Sequence, residues 1–267
     1  MKTPSILDKI CDLKRSELEV SKAARPFGKM LELACAAAER PRASFKSALK
    51  KSADGNPAII AELKKASPSM GLIRADFNFE TLACELEGAG AAALSVLTEK
   101  NYFQGSLEYL EKVSQKVKIP LLRKDFIFDE YQICEAAASG ASAVLLIAKM
   151  LSAAEFARLS AFAKSLGLDV LSEAHDESEI EMLLSEGADI VGVNCRDLRN
   201  FKTDFEVSER LLKKIPDGCV RVCESAINSR ALLLRAADAG ADAALIGTAL
   251  MSQKSVGKEL EKLLGRR

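Results

Sequence analysis

The stretch EGAGAAALSV (87–96) returns in altered spelling as ASGASAVLLI (138–147), SEGADIVGV (185–193) and DAGADAALIG (238–247). In each copy a helical pattern stops at a glycine and an apolar strand pattern begins within three residues. Glycine suits the left-handed residue that ends a helix, so the stretch marks one regular αβ joint. The four copies lead into the second, fourth, sixth and eighth members of a series: PAIIAEL (57–63), AAALSVL (91–97), IPLLRK (119–124), SAVLLIA (142–148), LDVLSE (168–173), DIVGVN (189–194), CVRVCE (219–224) and DAALIG (242–247). Short apolar runs alternating with longer amphipathic stretches imply a parallel sheet with crossover helices. Eight units predict an α/β fold of the (β/α)8 TIM-barrel type. An open doubly wound sheet is the competing architecture, but no GxGxxG follows any of these strands.

A length of 267 residues suits one barrel domain over 1–267, since such barrels run to about 250 residues around one core. Residues 1–50 read as an N-terminal helical extension, with apolar positions at Ile6, Leu7, Ile10, Leu13, Phe27, Met30, Leu31 and Leu33. Such helices could cap one end of the barrel or cover its active face. Hydrophobic residues at 48% and charged residues at 28% can build a large core, which excludes a disordered chain.

Lys plus Arg and Asp plus Glu both number 38, so no global field favours nucleic acid or an anionic membrane. Any anion recognition must be local. The first 20 residues lack the apolar core of a signal peptide and no apolar run is long enough to span a bilayer, so the expected location is cytoplasmic. Seven cysteines without a CxxC pair fit reduced, mostly buried thiols. His175 is the single histidine, which removes most metal sites and most Ser-His or Cys-His triads. The chemistry must then come from Lys, Glu, Asp or backbone.

In barrels of this type the loops after the strands build the active site. Strand one ends in Glu62 and Lys64, strand two runs into Glu99, strand three into Lys124 and strand four into Lys149. Strand five runs into Glu173, strand six into Asn194 and Arg196, and strand seven into Glu224. Any one of these alone reads as the solvated start of a loop; the cluster reads otherwise. Period-two alternation puts Glu62 and Lys64 on one side of their strand and Asn194 and Arg196 on one side of theirs. Charges pointing into a barrel mouth are costly to desolvate without partners or a ligand. After strands seven and eight come ESAI (224–227) and GTAL (247–250), small residues entering helices. They read as a phosphate cradle or as ordinary tight turns. Ser67 could add a hydroxyl from the loop after strand one. Cys195, between Asn194 and Arg196, alternates away from them and reads as packing; His175 reads as a maker of loop hydrogen bonds, with a proton relay as the alternative.

The segments AELKKASPSMGLIRADF (61–77), SVLTEKNYFQGS (95–106), PLLRKDFIFDEYQI (120–133), LLIAKML (145–151), SEAHDE (172–177), GVNCRDLRNF (192–201), CESAI (223–227) and LIGTALM (245–251) together resemble the indole-3-glycerol-phosphate synthase family. The resemblance runs in order over roughly residues 6–251 and is most specific in KKASPS and RKDF. It implies a carboxy-lyase of tryptophan biosynthesis that closes, decarboxylates and dehydrates 1-(2-carboxyphenylamino)-1-deoxyribulose 5-phosphate. It also implies the roles. Lys124 is the general acid of ring closure, Glu173 assists later proton transfers, Glu62 serves substrate hydroxyls or dehydration, and Lys64 lies near the departing carboxylate. Arg196 and Asn194 contact the anthranilate carboxylate and sugar hydroxyls, and Glu224 positions the basic groups. Phe103, Phe126, Leu145, Ile147, Leu198 and Leu245 wall the aromatic ring. Ser67, Ser225, Ala226, Gly247 and Thr248 hold the phosphate. No metal or organic cofactor is implied, the partner is a phosphorylated small molecule, and a monomer is the favoured state.

The family pattern has Glu-Ser-Gly after strand seven, where this chain has Ala226. If that position needs a positive φ, alanine costs about 1 kcal/mol or shifts an amide aimed at phosphate, and glycine there should tighten binding slightly. Thr248 for serine keeps the hydroxyl. The rival readings are a phosphoribosylanthranilate-isomerase type of barrel, which needs a Cys and Asp pair rather than this lysine and glutamate ring, and a barrel that has lost catalysis and serves as a binding subunit.

Overall fold

Alternation along each strand decides which side chains meet at the centre of the molecule. In the computed structural model, which describes residues 6–51, 55–194, 196 and 204–266, eight parallel strands close into a barrel. They are β1 (Ala58–Leu63), β2 (Ala93–Leu97), β3 (Leu121–Lys124), β4 (Ala143–Ile147), β5 (Asp169–Ala174), β6 (Ile190–Asn194), β7 (Val220–Glu224) and β8 (Ala243–Ile246). All eight predicted strands are present, with ends shifted by at most two residues. The ring closes where β1 meets β8, Ala58 opposite Ala243 and Ala61 opposite Ile246.

Residues of one parity fill the interior: Ile60, Leu122, Leu145, Leu171, Val222 and Leu245 are all buried there. The other parity, including Ile59, Leu63, Val144, Leu146, Val170 and Val193, packs outward under the helices. One pleat above the interior aliphatics, the same columns continue as Glu62, Lys124, Glu173, Asn194 and Glu224. Hydrophobic burial thus fixes the register that aims the polar groups.

The crossover helices are α4 (Phe79–Gly88), α5 (Leu107–Ser114), α6 (Glu130–Ala138), α7 (Ala153–Ser165), α8 (Glu177–Ser185), α9 (Phe205–Leu212) and α10 (Arg230–Asp238). Each starts on a side-chain cap, in order Asn78, Ser106, Asp129, Ser152, Asp176, Asp204 and Ser229. Such caps contribute about 1 kcal/mol apiece by satisfying a free N–H. The repeat glycines Gly90, Gly140, Gly187 and Gly240 have φ of 100°, 85°, 78° and 100°, the left-handed geometry expected of the αβ joints. Short α11 (Thr248–Met251) and α12 (Val256–Leu264) follow β8.

The extension forms α1 (Ile6–Ala24), α2 (Phe27–Ala38) and α3 (Phe45–Ala48), and it caps one end of the barrel without lining the cavity at the other. Phe45 and Leu49 are fully buried in the interior cluster, plugging the end of the barrel where the strands begin. There Lys46 donates its backbone N–H to Asp169 and its Nζ lies 2.7 Å from Asp189, next to the starts of β5 and β6. At the other end α1 delivers Lys14, whose Nζ is 3.0 and 3.2 Å from the two oxygens of Asp125. Of the six described cysteines, Cys11, Cys134 and Cys223 are buried and Cys219 is half-buried, so the expectation of mostly buried thiols fails only at Cys35 and Cys84, which are exposed. Both sit on outward faces of α2 and α4, where a small residue faces water as readily as core. No helix among the described residues is long and apolar enough to cross a membrane.

Asp125 is 2% exposed and carries three further contacts: Thr98 Oγ1 donates at 2.5 Å, Arg123 at 3.1 Å, and its own oxygen caps the Phe126 N–H at 2.9 Å. Burial alone would raise its pKa, yet Arg123 and Lys14 outweigh burial and hold the carboxyl below the usual range. We expect Asp125→Ala, which leaves Lys14 and Arg123 with only Glu17 and Glu135 as carboxylate partners, to destabilise the fold by about 3 kcal/mol in a urea titration. A loss under about 1 kcal/mol would mean that the cluster relaxes without it.

Candidate active site

At the end of the barrel where the strands finish lies a cavity of about 370 Å³. It is lined by every described residue that the sequence assigned to catalysis, substrate or phosphate, from Glu62 and Lys64 to Gly247 and Thr248. Leu198 and Cys195 lie outside the described residues.

Lys124 is the hub. Its Nζ donates to Glu224 Oε2 at 2.7 Å and to Glu173 Oε2 at 3.1 Å. Burial would discharge the ammonium, but Glu224, Glu173 and Glu62 outweigh it and raise its pKa well above the ordinary lysine value. The two carboxylates are pushed apart. Burial dominates at Glu224 and, with repulsion from Glu173 and Glu62, lifts it to about 7 despite Lys124. At Glu173, burial is outweighed by Lys124, His175 and Asn194, so its carboxyl is held well below the usual range. Environments that separate two carboxyls in this way supply one ionised base and one group able to exchange a proton near neutrality.

Beside this trio, Lys64 Nζ pairs with Glu62 at 2.6 Å. Asn194 Nδ2 donates to Glu173 Oε1 at 3.2 Å, while its Oδ1 accepts from the Ser225 hydroxyl at 2.8 Å and the Arg196 N–H at 3.1 Å. Two glycines make room for these groups. A Cβ on Gly247 would collide with Glu62 Oε2 and come within 3.0 Å of Lys64 Nζ, and a Cβ on Gly192 would collide with Glu224. The missing side chains of β6 and β8 are what allow the carboxylates to lie inward.

The cavity has an apolar side and a small-residue side. Phe103 and Phe126 face each other with centroids 6.2 Å apart, and Leu145, Ile147 and Leu245 continue the wall. The small-residue part of the lining is Ser67, Ser225, Ala226 and the start of α11 at Gly247 and Thr248. Ser225 and Ala226 have φ of 68° and 62°. The position therefore has the positive φ that glycine accepts at little cost, and alanine adopts it here.

Two rim charges do not join the cavity. Glu99 is 1% exposed and turns back into its own loop, accepting the backbone N–H groups of Asn101, Tyr102 and Phe103 at 2.7 to 2.9 Å. Its task is to hold the loop that presents Phe103. Lys149 is exposed on a 3-10 turn after β4. Asp125 was missed; its proximity to Lys124 in RKDF was the available signal. Ser69 and Asn228, also in the wall, carried none.

The family model described as indole-3-glycerol phosphate synthase matches residues 7–263 of this chain. An indole-3-glycerol phosphate synthase from Koribacter versatilis is 48% identical over 261 residues, covering 98% of this chain and 99% of its own. One from Campylobacter jejuni subsp. jejuni serotype O:6 is 44% identical over 259 residues, covering 97% and 100%. Among solved structures, 3-hexulose-6-phosphate synthase from Salmonella typhimurium shares the fold, with a TM-score of 0.63 at 15% identity over 79% of this chain and 100% of its own. With a lysine and glutamate cavity at the mouth of its barrel and kinship over nearly its whole length, this chain belongs to the indole-3-glycerol phosphate synthase family.

Proposed function

We propose that this chain converts 1-(2-carboxyphenylamino)-1-deoxyribulose 5-phosphate to indole-3-glycerol phosphate, carbon dioxide and water, as a step of tryptophan biosynthesis. The observation that carries the reading is the Lys124 ammonium held between Glu224 and Glu173 in a cavity lined by aromatic and aliphatic residues and by a set of small residues. The substrate has a matching layout: a benzene ring, a reacting ketone, and a phosphate at the far end.

In this reading the ring carbon bearing the carboxylate attacks the ketone carbon, and the ketone oxygen takes a proton from Lys124. The ammonium remains charged at neutral pH and stabilises the oxygen as negative charge develops. Glu224, at about 7, can return the proton to the amine. Loss of carbon dioxide restores aromaticity, with Lys64 near the departing group. The new hydroxyl takes a second proton from the restored Lys124 ammonium and leaves as water, while the ionised Glu173 removes the proton from the neighbouring carbon to complete the indole and can return it to Lys124. Glu62 serves the hydroxyl. Asn194 and Arg196 hold sugar hydroxyls and the anthranilate carboxylate. Phe103, Phe126, Leu145, Ile147 and Leu245 enclose the ring. The phosphate lies against Ser67, Ser225, Ala226, Gly247 and Thr248, where the loops after β7 and β8 supply the anion site habitual in this fold.

The same reading treats 1–267 as one domain, because Phe45 and Leu49 of the extension are part of the barrel interior. In this reading the chain acts as a monomer. The exposed thiols of Cys35 and Cys84 suit a reducing cytoplasm.

Two outcomes are expected. Indole fluorescence should develop when purified protein meets the substrate, and Lys124→Ala should lower kcat at least about a hundredfold while changing KM by less than about threefold. Near-normal turnover by a folded Lys124→Ala enzyme would remove Lys124 from its role. Because Ala226 already adopts a positive φ, Ala226→Gly should stabilise the fold by about 0.5–1 kcal/mol rather than tighten the phosphate site. Substrate affinity improved more than about twofold, with unchanged stability, would show instead that alanine distorts the cradle.

A further inference from the structure

His175 stands behind the cavity wall, two residues beyond Glu173, with its side chain 10% exposed. Its Nε2 lies 3.3 Å from Glu173 Oε1, and its Nδ1 lies 3.2 Å from Glu179 Oε2 in the first turn of α8. That same Glu179 oxygen also accepts the His175 backbone N–H at 2.8 Å, which fixes the ring's base. A chain of carboxylate, imidazole, carboxylate and ammonium therefore runs from α8 through Glu173 to Lys124. We propose that His175 is a positioning residue for the reaction, an imidazolium strut anchored by Glu179 that keeps Glu173 ionised and aimed at Lys124. The inference rests on Glu173 acting as the base of the proposed reaction.

A neutral imidazole has one N–H, which Glu179 can take through Nδ1; Nε2 meets Glu173 as a charge contact at 3.3 Å without the alignment of a hydrogen bond, and only the doubly protonated ring is attracted to both carboxylates. Burial works against the charge, but Glu173 and Glu179 outweigh it and push the His175 pKa up to about 10. Asp176, the cap of α8, adds to the negative surroundings. Beyond Glu173 stand Lys124, Glu224 and Glu62; Lys149 is exposed on the 3-10 turn packed against β5 and α8, and Glu177 is turned to Lys214 at 2.6 Å. The strut answers a specific problem. Glu173, Glu224 and Glu62 crowd one buried space, and carboxylates so placed tend to retain a proton on one member. With His175 against it, Glu173 is not the member that does so.

The test uses the intact enzyme and exploits the single histidine of the chain. In protein labelled with 15N and 13C at histidine, the one imidazole should stay doubly protonated to pH 8, and Glu179→Gln should lower its titration midpoint. An imidazole that titrates near 6.5, unmoved by Glu179→Gln, would overturn the proposal whether or not the protein turns over substrate. In kinetics, losing the positive charge should raise the pKa of Glu173, so His175→Gln should shift the acid limb of kcat upward by about one pH unit. The loss should then approach about tenfold only on the acid limb itself, below the pH at which the wild-type enzyme begins to lose activity, and vanish toward neutrality, with KM within about twofold. Glu179→Gln should shift the limb in the same direction by less. An equal loss at every pH, or an unshifted limb, would mark His175 as structural only. Absence of turnover by the wild-type enzyme would instead sink the proposed reaction, leaving the titration to judge the strut.

Discussion

A buried ammonium is tolerated only where carboxylates repay its lost hydration, and the mouth of this barrel is organised around that constraint at Lys124. One ammonium meets two carboxylates, with Glu62 close enough to add its field. Removing the ammonium would leave two carboxylates with little solvent contact facing each other uncompensated, a cost of several kcal/mol. The surrounding architecture supplies what the arrangement needs: strands that end at the same height, interior aliphatics directly beneath, and glycines at 192 and 247 where side chains would intrude.

The extension belongs to the same electrostatic scheme. Lys14 reaches the carboxylate that follows Lys124 in the chain, so α1 braces the turn after β3 from outside while the pairs around Lys124 brace it from inside. Glu99 does for the Phe103 loop what Asp125 does for Lys124. In both places a carboxylate out of contact with solvent gathers N–H donors and stiffens a loop whose other residues face the cavity. Rigid presentation of this kind is how a loop comes to hold a side chain to within a fraction of an ångström.

The barrel was legible because two periodicities agree: period two within strands, and a glycine-ended joint before every second strand. The parity of Glu62 and Lys64 likewise followed from counting. What counting could not supply was direction beyond the last ladder bond. Glu99 and Lys149 sit just past their strands, where the backbone turns and alternation no longer applies, so one folds into its loop and the other into solvent. His175 lies at the same kind of boundary and was read as a maker of loop hydrogen bonds; its two partners come from a neighbouring pleat and a helix, a juxtaposition spacing alone does not reveal. The positive φ at Ala226 is a property of the backbone that residue type alone does not specify.

Closure of β1 on β8 has a consequence for how the protein comes into being. Glu62 is synthesised roughly 185 residues before the Gly247 that makes room for its carboxylate, and Ala58 waits equally long for Ala243. During translation at about 5–20 residues per second, the first strand must persist with an unpaired edge for many seconds. Its flank is not wholly bare in that interval, because β2 and α4 follow soon and cover one side. The other edge stays open until β8 emerges, so the cavity is completed late in synthesis, after most of the molecule that supports it.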